Sequence, residues 1–253
     1  MCRPIGCLPV STMSESSVRT VLVTGASSGI GLAICRRLLG EGHGVIGVAR
    51  DFSKSPLHSP AWSPEVVDLA ELSALPERLQ AIANTYPAID GVVCCAGRGR
   101  FGSLEEFAYT DIRALMDLNF TSQAYVARAF VPLMKRRSGG DLIFIGSEAA
   151  LSGGRRGAVY SAGKFALRGL AQALREECGR SGVRVCVINP GMVRTGFFDS
   201  LNFAPGEDPE NYLLPEDVAE AAALVLGSRP ETVFDEINLS PLKRVVRFRP
   251  AGR

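Results

Sequence analysis

Short runs of apolar, mainly β-branched residues alternate along the chain with longer segments whose apolar positions recur at helical spacing. The apolar runs predict buried strands at 18–23, 44–49, 66–69, 90–97, 141–147, 183–190 and 234–239. The helical spacing predicts helices over 31–39, 72–84, 111–137, 161–178 and 215–226. Alternation of this kind implies right-handed crossovers. We therefore predict one α/β domain, with a doubly wound sheet of about seven parallel strands and helices on both faces.

The same pattern sets the expected limits of the domain. Residues 1–17 contain two prolines and no apolar run of signal-peptide length, and we expect them to form a disordered leader. The domain is expected to span 18–243, followed by a C-terminal tail at 244–253. No internal repeat or linker divides it.

Charge and cysteine content narrow the choice of partner and compartment. The 28 basic and 26 acidic residues include no long run of either sign, so neither nucleic acid nor a membrane surface is an expected partner. The seven cysteines form no metal-type CxxC pair, and no metal site is expected. Cys94 and Cys95 lie inside a predicted strand, which favours reduced thiols and a cytoplasmic location.

A glycine-rich turn follows the first predicted strand. In TGASSGIG, residues 24–31, the glycines permit a tight turn, let the backbone approach a pyrophosphate, and direct the start of a helix at it. A plain strand-to-helix turn can carry the same glycines. Their position after the first strand of a serial strand–helix pattern favours a Rossmann-like dinucleotide site.

A second motif, GAVYSAGKFALRG, places Tyr160 and Lys164 on one helix face. An ammonium about 4 Å from a phenolate stabilises it by roughly 4 kcal/mol at an effective dielectric constant of 20. That is about three pKa units, enough to bring a phenol near neutrality, and we expect the lysine and a cationic cofactor to outweigh the opposing effect of burial. The alternative is a core tyrosine beside a solvated lysine.

With these two motifs the chain resembles the short-chain dehydrogenase/reductase family over about residues 18–239. The resemblance implies a catalytic set of Asn119, Ser147, Tyr160 and Lys164. In it the tyrosine exchanges a proton with the substrate oxygen, the serine holds that oxygen, the lysine also binds the nicotinamide ribose, and the asparagine anchors a water. Asn119 has an alternative interpretation, since an asparagine can simply cap or bend a helix.

The expected cofactor-binding residues follow from the same resemblance and, for Arg50, from its position after the second predicted strand. They are Gly25, Ser27, Ser28, Gly29, Ile30, Gly31, Arg50, Asp68, Leu69, Cys95, Ala96, Gly97, Tyr160, Lys164, Pro190, Gly191, Val193 and Thr195. The chain departs from the family where NNAG reads CCAG, with Cys94 and Cys95 in place of two asparagines. We therefore do not expect the side-chain hydrogen bonds with which the two asparagines brace this strand in the family.

The end of the second predicted strand bears on the choice of nucleotide. In GVARD, Ala49 occupies the position of a ribose-binding acid, and the guanidinium of Arg50 suits a 2′-phosphate. This favours NADP(H). Alternatively, Arg50 lies on a solvated loop and Asp51 reaches the ribose.

Substrate identity rests on weaker signals. Residues 195–214, including Phe197, Phe198 and Phe203, resemble the family's mobile lid, although an ordinary loop could also bury these rings. Four arginines flank the expected pocket and could bind an anion or be surface residues: Arg98, Arg100, Arg155 and Arg156. The C-terminal part lacks a VDGG-like ending and resembles NADP-dependent 3-hydroxy acid and serine dehydrogenases rather than acyl-carrier-protein reductases.

We therefore expect an NADP(H)-dependent oxidoreductase that interconverts a small secondary alcohol or 3-hydroxy acid and its ketone or aldehyde. A 3-oxo acid or semialdehyde is the preferred substrate, and the resemblance implies a homodimer or homotetramer. A 3-oxoacyl-carrier-protein reductase and a catalytically silent nucleotide sensor are the alternatives. A scaffold protein is disfavoured because it would not need the glycine turn.

Overall fold

Nine strands and six helices make up the part of the chain that the computed structural model describes, residues 18–249. The strands are β1 (Thr20–Thr24), β2 (Gly44–Ala49), β3 (Trp62–Val66), β4 (Gly91–Cys94), β5 (Gly140–Ile145), β6 (Val183–Pro190), β7 (Phe203–Pro205), β8 (Glu236–Leu239) and β9 (Val246–Phe248). The helices are α1 (Gly29–Gly40), α2 (Leu75–Thr85), α3 (Tyr109–Met116), α4 (Ser122–Arg136), α5 (Ala158–Cys178) and α6 (Pro215–Gly227). The leader predicted at 1–17 lies outside the described residues, as do the last positions of the predicted tail, 250–253.

Seven of the strands form one parallel sheet in the order β3-β2-β1-β4-β5-β6-β8. The predicted doubly wound α/β fold is thereby confirmed. The chain winds in one direction from β1 to β3 and in the other from β4 to β8, so the direction reverses between β1 and β4. In open sheets of this type, ligands bind beyond the carboxyl ends of the strands at this reversal.

Each face of the sheet is covered by helices. One apolar core packs α2, α4 and α5 against the sheet, around the fully buried rings of Phe130 and Phe144. The second core packs α1 and α6 against the opposite face. Because both faces are buried, the central strands read as continuous apolar runs, which is why the sequence predicted them well.

The amino-end edge of the sheet is closed by ion pairs. Asp141 at the start of β5 is only 2% exposed and lies between Arg19, at 2.6 Å, and Arg184, at 2.7 Å. The two guanidinium groups donate to both oxygens of the buried carboxylate, and Arg19 also donates to the Leu226 carbonyl. The polar groups at this edge are thus engaged with one another, while the cavity described below lies at the opposite edge.

Three features differ from the sequence-based expectation. The third strand is Trp62–Val66, not 66–69, because it is a half-exposed edge strand containing Pro64 and shows no apolar run. The helix predicted at 111–137 is present but winds as a π-helical turn at Asp117–Thr121. Finally, β7 and β9 form an antiparallel ribbon between the predicted lid and the predicted tail, which the sequence pattern did not indicate.

The described cysteines form no disulfide bonds. Cys35, Cys94, Cys95, Cys178 and Cys186 are free, and all but Cys95 are buried. Burial raises the pKa of the Cys186 thiol to about 12. Within residues 18–249, no helix combines the length and apolar character needed to cross a bilayer, and no three acidic, cysteine or histidine side chains cluster as a metal site would require.

Gly47 provides a test of how β2 and β3 pack, because a Cβ at this position would collide with the indole of Trp62. We expect Gly47→Ala to displace the only tryptophan and to lower the free energy of unfolding by about 1–3 kcal/mol. Urea unfolding followed by tryptophan fluorescence and circular dichroism measures both effects. Gly169→Ala is the matched control, because open space surrounds a Cβ there and alanine favours the helix. Equal unfolding midpoints for parent and Gly47→Ala would contradict this packing.

Candidate active site

A cavity of about 1310 Å³ runs along the carboxyl-end edge of the sheet. All of the predicted cofactor-binding residues line it, from Gly25 at the end of β1 to Thr195 after β6, together with Ser147, Tyr160 and Lys164. The parallel register produces this convergence, because the carboxyl ends of β1, β4, β5 and β6 meet at one edge. Asn119 is the only predicted site residue that does not line the cavity.

The turn between β1 and α1 requires glycine. Gly25 has φ +69° and donates its amide to the Val48 carbonyl at 2.8 Å, and a Cβ on Gly31 would overlap the Gly25 carbonyl oxygen. The first turn of α1 therefore packs directly on the turn that precedes it. Ser28, the N-cap residue, makes no side-chain cap, so the first amide groups of α1 have no side-chain acceptor there and can bind an anion.

The strand end that carries Cys94 and Cys95 is braced by other residues than the family's asparagines. The hydroxyl of buried Thr24 accepts hydrogen bonds from the amides of Cys95, at 2.9 Å, and Ala96, at 3.1 Å. The amide of buried Gln123 donates to the Ala96 carbonyl at 2.8 Å. Cysteine at these positions therefore leaves the strand end braced. Sequence reasoning missed both supports, although a threonine immediately before the glycine turn was a visible signal.

Tyr160 and Lys164 lie on the first two turns of α5, facing the end of β5. Both are almost fully buried, and the Lys164 ammonium donates to the Ile145 carbonyl at 2.9 Å. The ammonium nitrogen lies 5.9 Å from the centre of the Tyr160 ring. Ser147 follows β5 and accepts a hydrogen bond from the Ala149 amide, which orients its hydroxyl in the same cavity. The predicted trio is thus assembled by two elements, β5 and α5.

The protein's own groups alone do not bring the Tyr160 pKa near neutrality, and the expected contribution of a cationic cofactor stays a prediction. Burial raises the pKa of Tyr160 to about 12, opposed by the hydrogen bond from Ser147 and increased by the nearby Glu148 carboxylate. Burial also lowers the pKa of Lys164 to about 8. The expected stabilisation requires a charged ammonium about 4 Å from the phenol oxygen. In the fold, the ammonium itself is desolvated and bonds to backbone.

Asn119 sits at the π-helical turn and acts on the backbone behind the cavity. Its side-chain oxygen accepts from the Arg98 amide, and its side-chain nitrogen donates to the Arg98 carbonyl, both at 2.9 Å. A Cβ on Gly97 would lie 3.1 Å from the same side-chain oxygen. Asn119 therefore holds the loop that follows β4 against the helix, and π-helical turns often occur at functional sites.

At one end of the cavity, Arg50 and Lys54 are both exposed and both line it. The carboxylate of Asp51 points into a local turn, where it accepts from the Ser53 amide at 2.7 Å and the Ser53 hydroxyl at 2.8 Å. Asp68 lines the same end and accepts from the Ala70 amide at 2.9 Å. Sequence reasoning missed Lys54 because its position five residues beyond the end of β2 carries no motif.

Aromatic rings line the other end. The Tyr160 ring lies 5.0 Å from that of Phe101 and 6.0 Å from that of Phe197, and Phe198 and Phe203 complete the wall. The segment predicted as a lid thus contributes its three phenylalanines to the cavity. Phe101, on the loop after β4, was not predicted.

Two of the four flanking arginines are already paired. Arg156 forms a bidentate ion pair with Glu106, and Arg100 pairs with Asp111. Arg98 and Arg155 line the cavity and make no side-chain ion pair within the described residues. The expected anion site therefore cannot use all four guanidinium groups.

Burial of Lys164 predicts a specific pH dependence of stability. The pKa of Lys164 is about 8 in the folded protein and 10.5 for an unperturbed lysine. Between these two values the unfolded chain binds more protons than the folded one, so the free energy of unfolding rises with pH. Relative to Lys164→Met, the parent should gain about 1–2 kcal/mol between about pH 7 and about pH 9.5. Urea unfolding of both proteins across this range measures the difference. Parallel stability curves would show that Lys164 is charged and solvated.

Comparison with known proteins agrees with this geometry. The sequence model described as short chain dehydrogenase matches residues 19–205. An uncharacterized oxidoreductase of Staphylococcus epidermidis is 28% identical over 235 residues, covering 91% of this chain and 100% of the relative. Estradiol 17-beta-dehydrogenase 1 of Rattus norvegicus is 36% identical over 197 residues, covering 74% of this chain but 57% of that enzyme.

Solved structures show the same fold. Alcohol dehydrogenase from the archaeon Thermococcus sibiricus, complexed with 5-hydroxy-NADP, superposes with a TM-score of 0.78 at 25% identity, covering 90% of this chain and 99% of that one. A serine dehydrogenase complexed with NADP+ gives 0.76 at 27% identity, covering 87% and 94%. With a family match across most of its length and this architecture, the chain belongs to the short chain dehydrogenase family of oxidoreductases.

Proposed function

We propose that this protein is an NADP(H)-dependent oxidoreductase that interconverts a secondary alcohol, such as a 3-hydroxy acid, and its ketone or aldehyde. One observation carries the proposal: Ser147, Tyr160 and Lys164 share one cavity with the glycine turn at the start of α1. A proton donor and a dinucleotide cradle in one cavity are the two requirements of hydride-transfer chemistry.

The residues present fit a nicotinamide dinucleotide. The uncapped start of α1 would hold the pyrophosphate through its amide groups, and the close packing of Gly31 on the Gly25 carbonyl leaves no room for a side chain there. An ammonium has three donors, and within the described residues Lys164 uses one of them, on Ile145. Its remaining donors would bind the hydroxyls of the nicotinamide ribose. When bound, the reduced nucleotide would supply a hydride to the carbonyl carbon.

The chain's own residues would transfer the proton to and from the substrate oxygen. Because burial keeps Tyr160 neutral, its hydroxyl is ready to donate a proton to the substrate oxygen during reduction. Ser147 would hold that oxygen by a hydrogen bond and also stabilise the phenolate that remains. The Lys164 charge would favour the same phenolate, and in the oxidative direction Tyr160 would accept the proton. We propose Asn119 as a positioning residue that keeps the Gly97 loop in place.

The charged side chains at one end of the cavity support NADP(H) over NAD(H). Arg50 and Lys54 together place two positive charges at the adenosine end of the cavity, where a 2′-phosphate would lie. Asp51, the alternative ribose ligand, is held in its turn by Ser53. The structural neighbours bound to 5-hydroxy-NADP and NADP+ point in the same direction.

The substrate remains a choice between two classes. A small 3-oxo acid or semialdehyde is supported by the C-terminal resemblance and by the similarity to serine dehydrogenase. A larger apolar alcohol is the second candidate, favoured by the aromatic wall of the cavity and by the 36% identity to rat estradiol 17-beta-dehydrogenase 1. Turnover of both classes with one nucleotide separates them.

We also propose a homodimer or homotetramer in the cytoplasm. Phe165, on α5, is 43% exposed, which suits a helix that packs on another copy. The buried free thiols support a reducing compartment. Light scattering on the purified protein gives the number of subunits.

Replacing Tyr160 by Phe should lower kcat by about 10²- to 10⁴-fold, because the hydroxyl is the proposed proton donor. The affinity for NADPH, followed by fluorescence titration, should hardly change. Turnover is measured as NADPH consumption with a panel of aldehydes, ketones and 3-oxo acids. Tyr109→Phe, which removes a hydroxyl from a 92% exposed tyrosine, is the control and should match the parent. If Tyr160→Phe kept more than about a tenth of kcat, another group would supply the proton.

Arg50→Ala should weaken NADP(H) binding by roughly 1.5–3 kcal/mol, the typical contribution of a hydrogen bond to a charged group. Lys54→Ala should weaken it by a smaller amount, because a single flexible ammonium makes no bidentate contact. NAD(H), which lacks the phosphate, serves as the control ligand and should bind both variants as it binds the parent. An equal loss for NAD(H) and NADP(H) would mean that Arg50 only supports its loop.

A further inference from the structure

A second cavity, of about 370 Å³, adjoins the aromatic end of the first. Its wall combines aromatic, aliphatic, arginine and amide side chains: Phe101, Arg155, Arg156, Asn202, Phe203, Val246 and Phe248. Four of these residues, Phe101, Arg155, Phe203 and Val246, also line the large cavity. The two spaces therefore share a boundary.

A row of rings leads from the reaction centre to this cavity. The Tyr160 ring lies 5.0 Å from Phe101, Phe101 lies 5.0 Å from Phe203, and Phe203 lies 6.5 Å from Phe248. An apolar group attached to a carbonyl at Tyr160 can follow these rings outward with continuous van der Waals contact. The small cavity is thus the continuation of the substrate end.

The outer wall comes from the ribbon of β7 and β9. The strands pair Phe203 with Phe248 and Pro205 with Val246, and the ribbon is extended by the Arg249 amide, which donates to the Asn202 carbonyl at 2.7 Å. The C-terminal segment therefore supplies Val246 and Phe248, and Phe248 remains 76% exposed. Large exposed apolar side chains grouped around a cavity typically mark a binding surface.

The inner wall is a strained turn that presents Arg155. The Gly157 amide donates to the Gly154 carbonyl at 3.1 Å, and Arg156, the third residue of this turn, has φ +60°. Turns with positive φ at this position normally use glycine, and a side chain there costs energy that functional sites often retain. Two contacts hold the turn: the bidentate ion pair of Arg156 with Glu106, and the Gly102 amide, which donates to the Arg156 carbonyl.

This arrangement leaves one positive charge for a ligand. Glu106 neutralises Arg156, no acidic residue lines the small cavity, and Arg155 makes no ion pair within residues 18–249. A lone guanidinium beside an apolar wall matches a monoanion that is attached to an apolar group.

We propose that the small cavity is a substrate subsite for an oxo acid whose aromatic or similarly sized apolar body separates the carbonyl from a carboxylate. The carbonyl lies at Tyr160, the body packs along Phe101 and Phe203 to the ribbon, and Arg155 binds the carboxylate. The subsite rests on the proposed function, and it replaces the two candidate substrate classes by one that combines the carboxylate of the first with the larger apolar body of the second. Arg155 and Phe248 are then specificity-determining residues supplied by the turn before α5 and by the C-terminal strand.

The decisive measurement compares a ketone acid with its methyl ester, which has the same body but no charge. We would measure kcat/KM with NADPH for para-acetylbenzoate and for the longer para-acetylphenylpropanoate, each against its ester. The parent should prefer at least one acid by about 10- to 100-fold, and in Arg155→Ala the ratio of acid to ester should fall to near one. Arg180→Ala removes an exposed arginine far from both cavities, and its ratio should equal that of the parent.

A parent that shows no acid preference, or a preference that survives in Arg155→Ala, would overturn the subsite while leaving the oxidoreductase proposal intact. If no ketone is turned over, the proposed function fails, and calorimetric binding of the same acids still tests the subsite. Their Kd should then rise about tenfold or more in Arg155→Ala. An unchanged Kd would overturn it.

A variant of Phe248 tests the wall of the small cavity that the C-terminal strand supplies. Phe248→Ala should raise KM for the aromatic acids about tenfold, and it should affect acetoacetate, which is too short to reach the ribbon, much less. Leu242→Ala is the control, because this 81% exposed side chain lies in the same C-terminal segment and lines neither cavity. Equal losses for aromatic acids and acetoacetate would mean that Phe248 stabilises the ribbon and does not contact substrate.

Discussion

The burial of a lysine ammonium at the end of β5 is the constraint on which the rest of the site depends. Lys164 can remain there only because the Ile145 carbonyl accepts a hydrogen bond from its ammonium and because the helix that carries it packs on the sheet. Burial lowers its pKa to about 8 and raises that of Tyr160 to about 12. The folded protein therefore keeps the tyrosine protonated, which suits proton donation. The positive charge of the lysine would stabilise the phenolate that forms when the tyrosine gives up its proton.

Side chains that hydrogen-bond to backbone groups also hold the rest of the cavity wall in place. Thr24 and Gln123 support the end of β4 through backbone groups, so the chain tolerates Cys94 and Cys95 where relatives in the family carry asparagines. Asn119 supports the next loop in the same way. Because these bonds go to amides and carbonyls, side chains in the strand end can change without moving the cavity wall.

The substrate end follows different rules from the nucleotide end. Its walls come from loops, a strained turn at Arg156 and a two-stranded ribbon, elements that lie outside the seven-stranded sheet. Loops on a rigid scaffold can vary in sequence without loss of the fold. In this protein they combine aromatic rings with Arg155, which makes no ion pair within the described residues, and so define a pocket that is both apolar and cationic.

The sequence alone determined six of the seven strands of the sheet, the five main helical segments and the local motifs. Buried parallel strands read as apolar runs, and glycine turns and a tyrosine–lysine spacing act over a few residues. It could not predict the edge strand at Trp62–Val66, whose half-exposed pattern resembles a loop. Only the tertiary structure decided which of the four arginines form ion pairs, how burial shifts the pKa values of Tyr160 and Lys164, and that Phe203 pairs with Phe248. Each of these depends on contacts between residues distant in the chain, and no local pattern encodes the burial or the partner of a side chain.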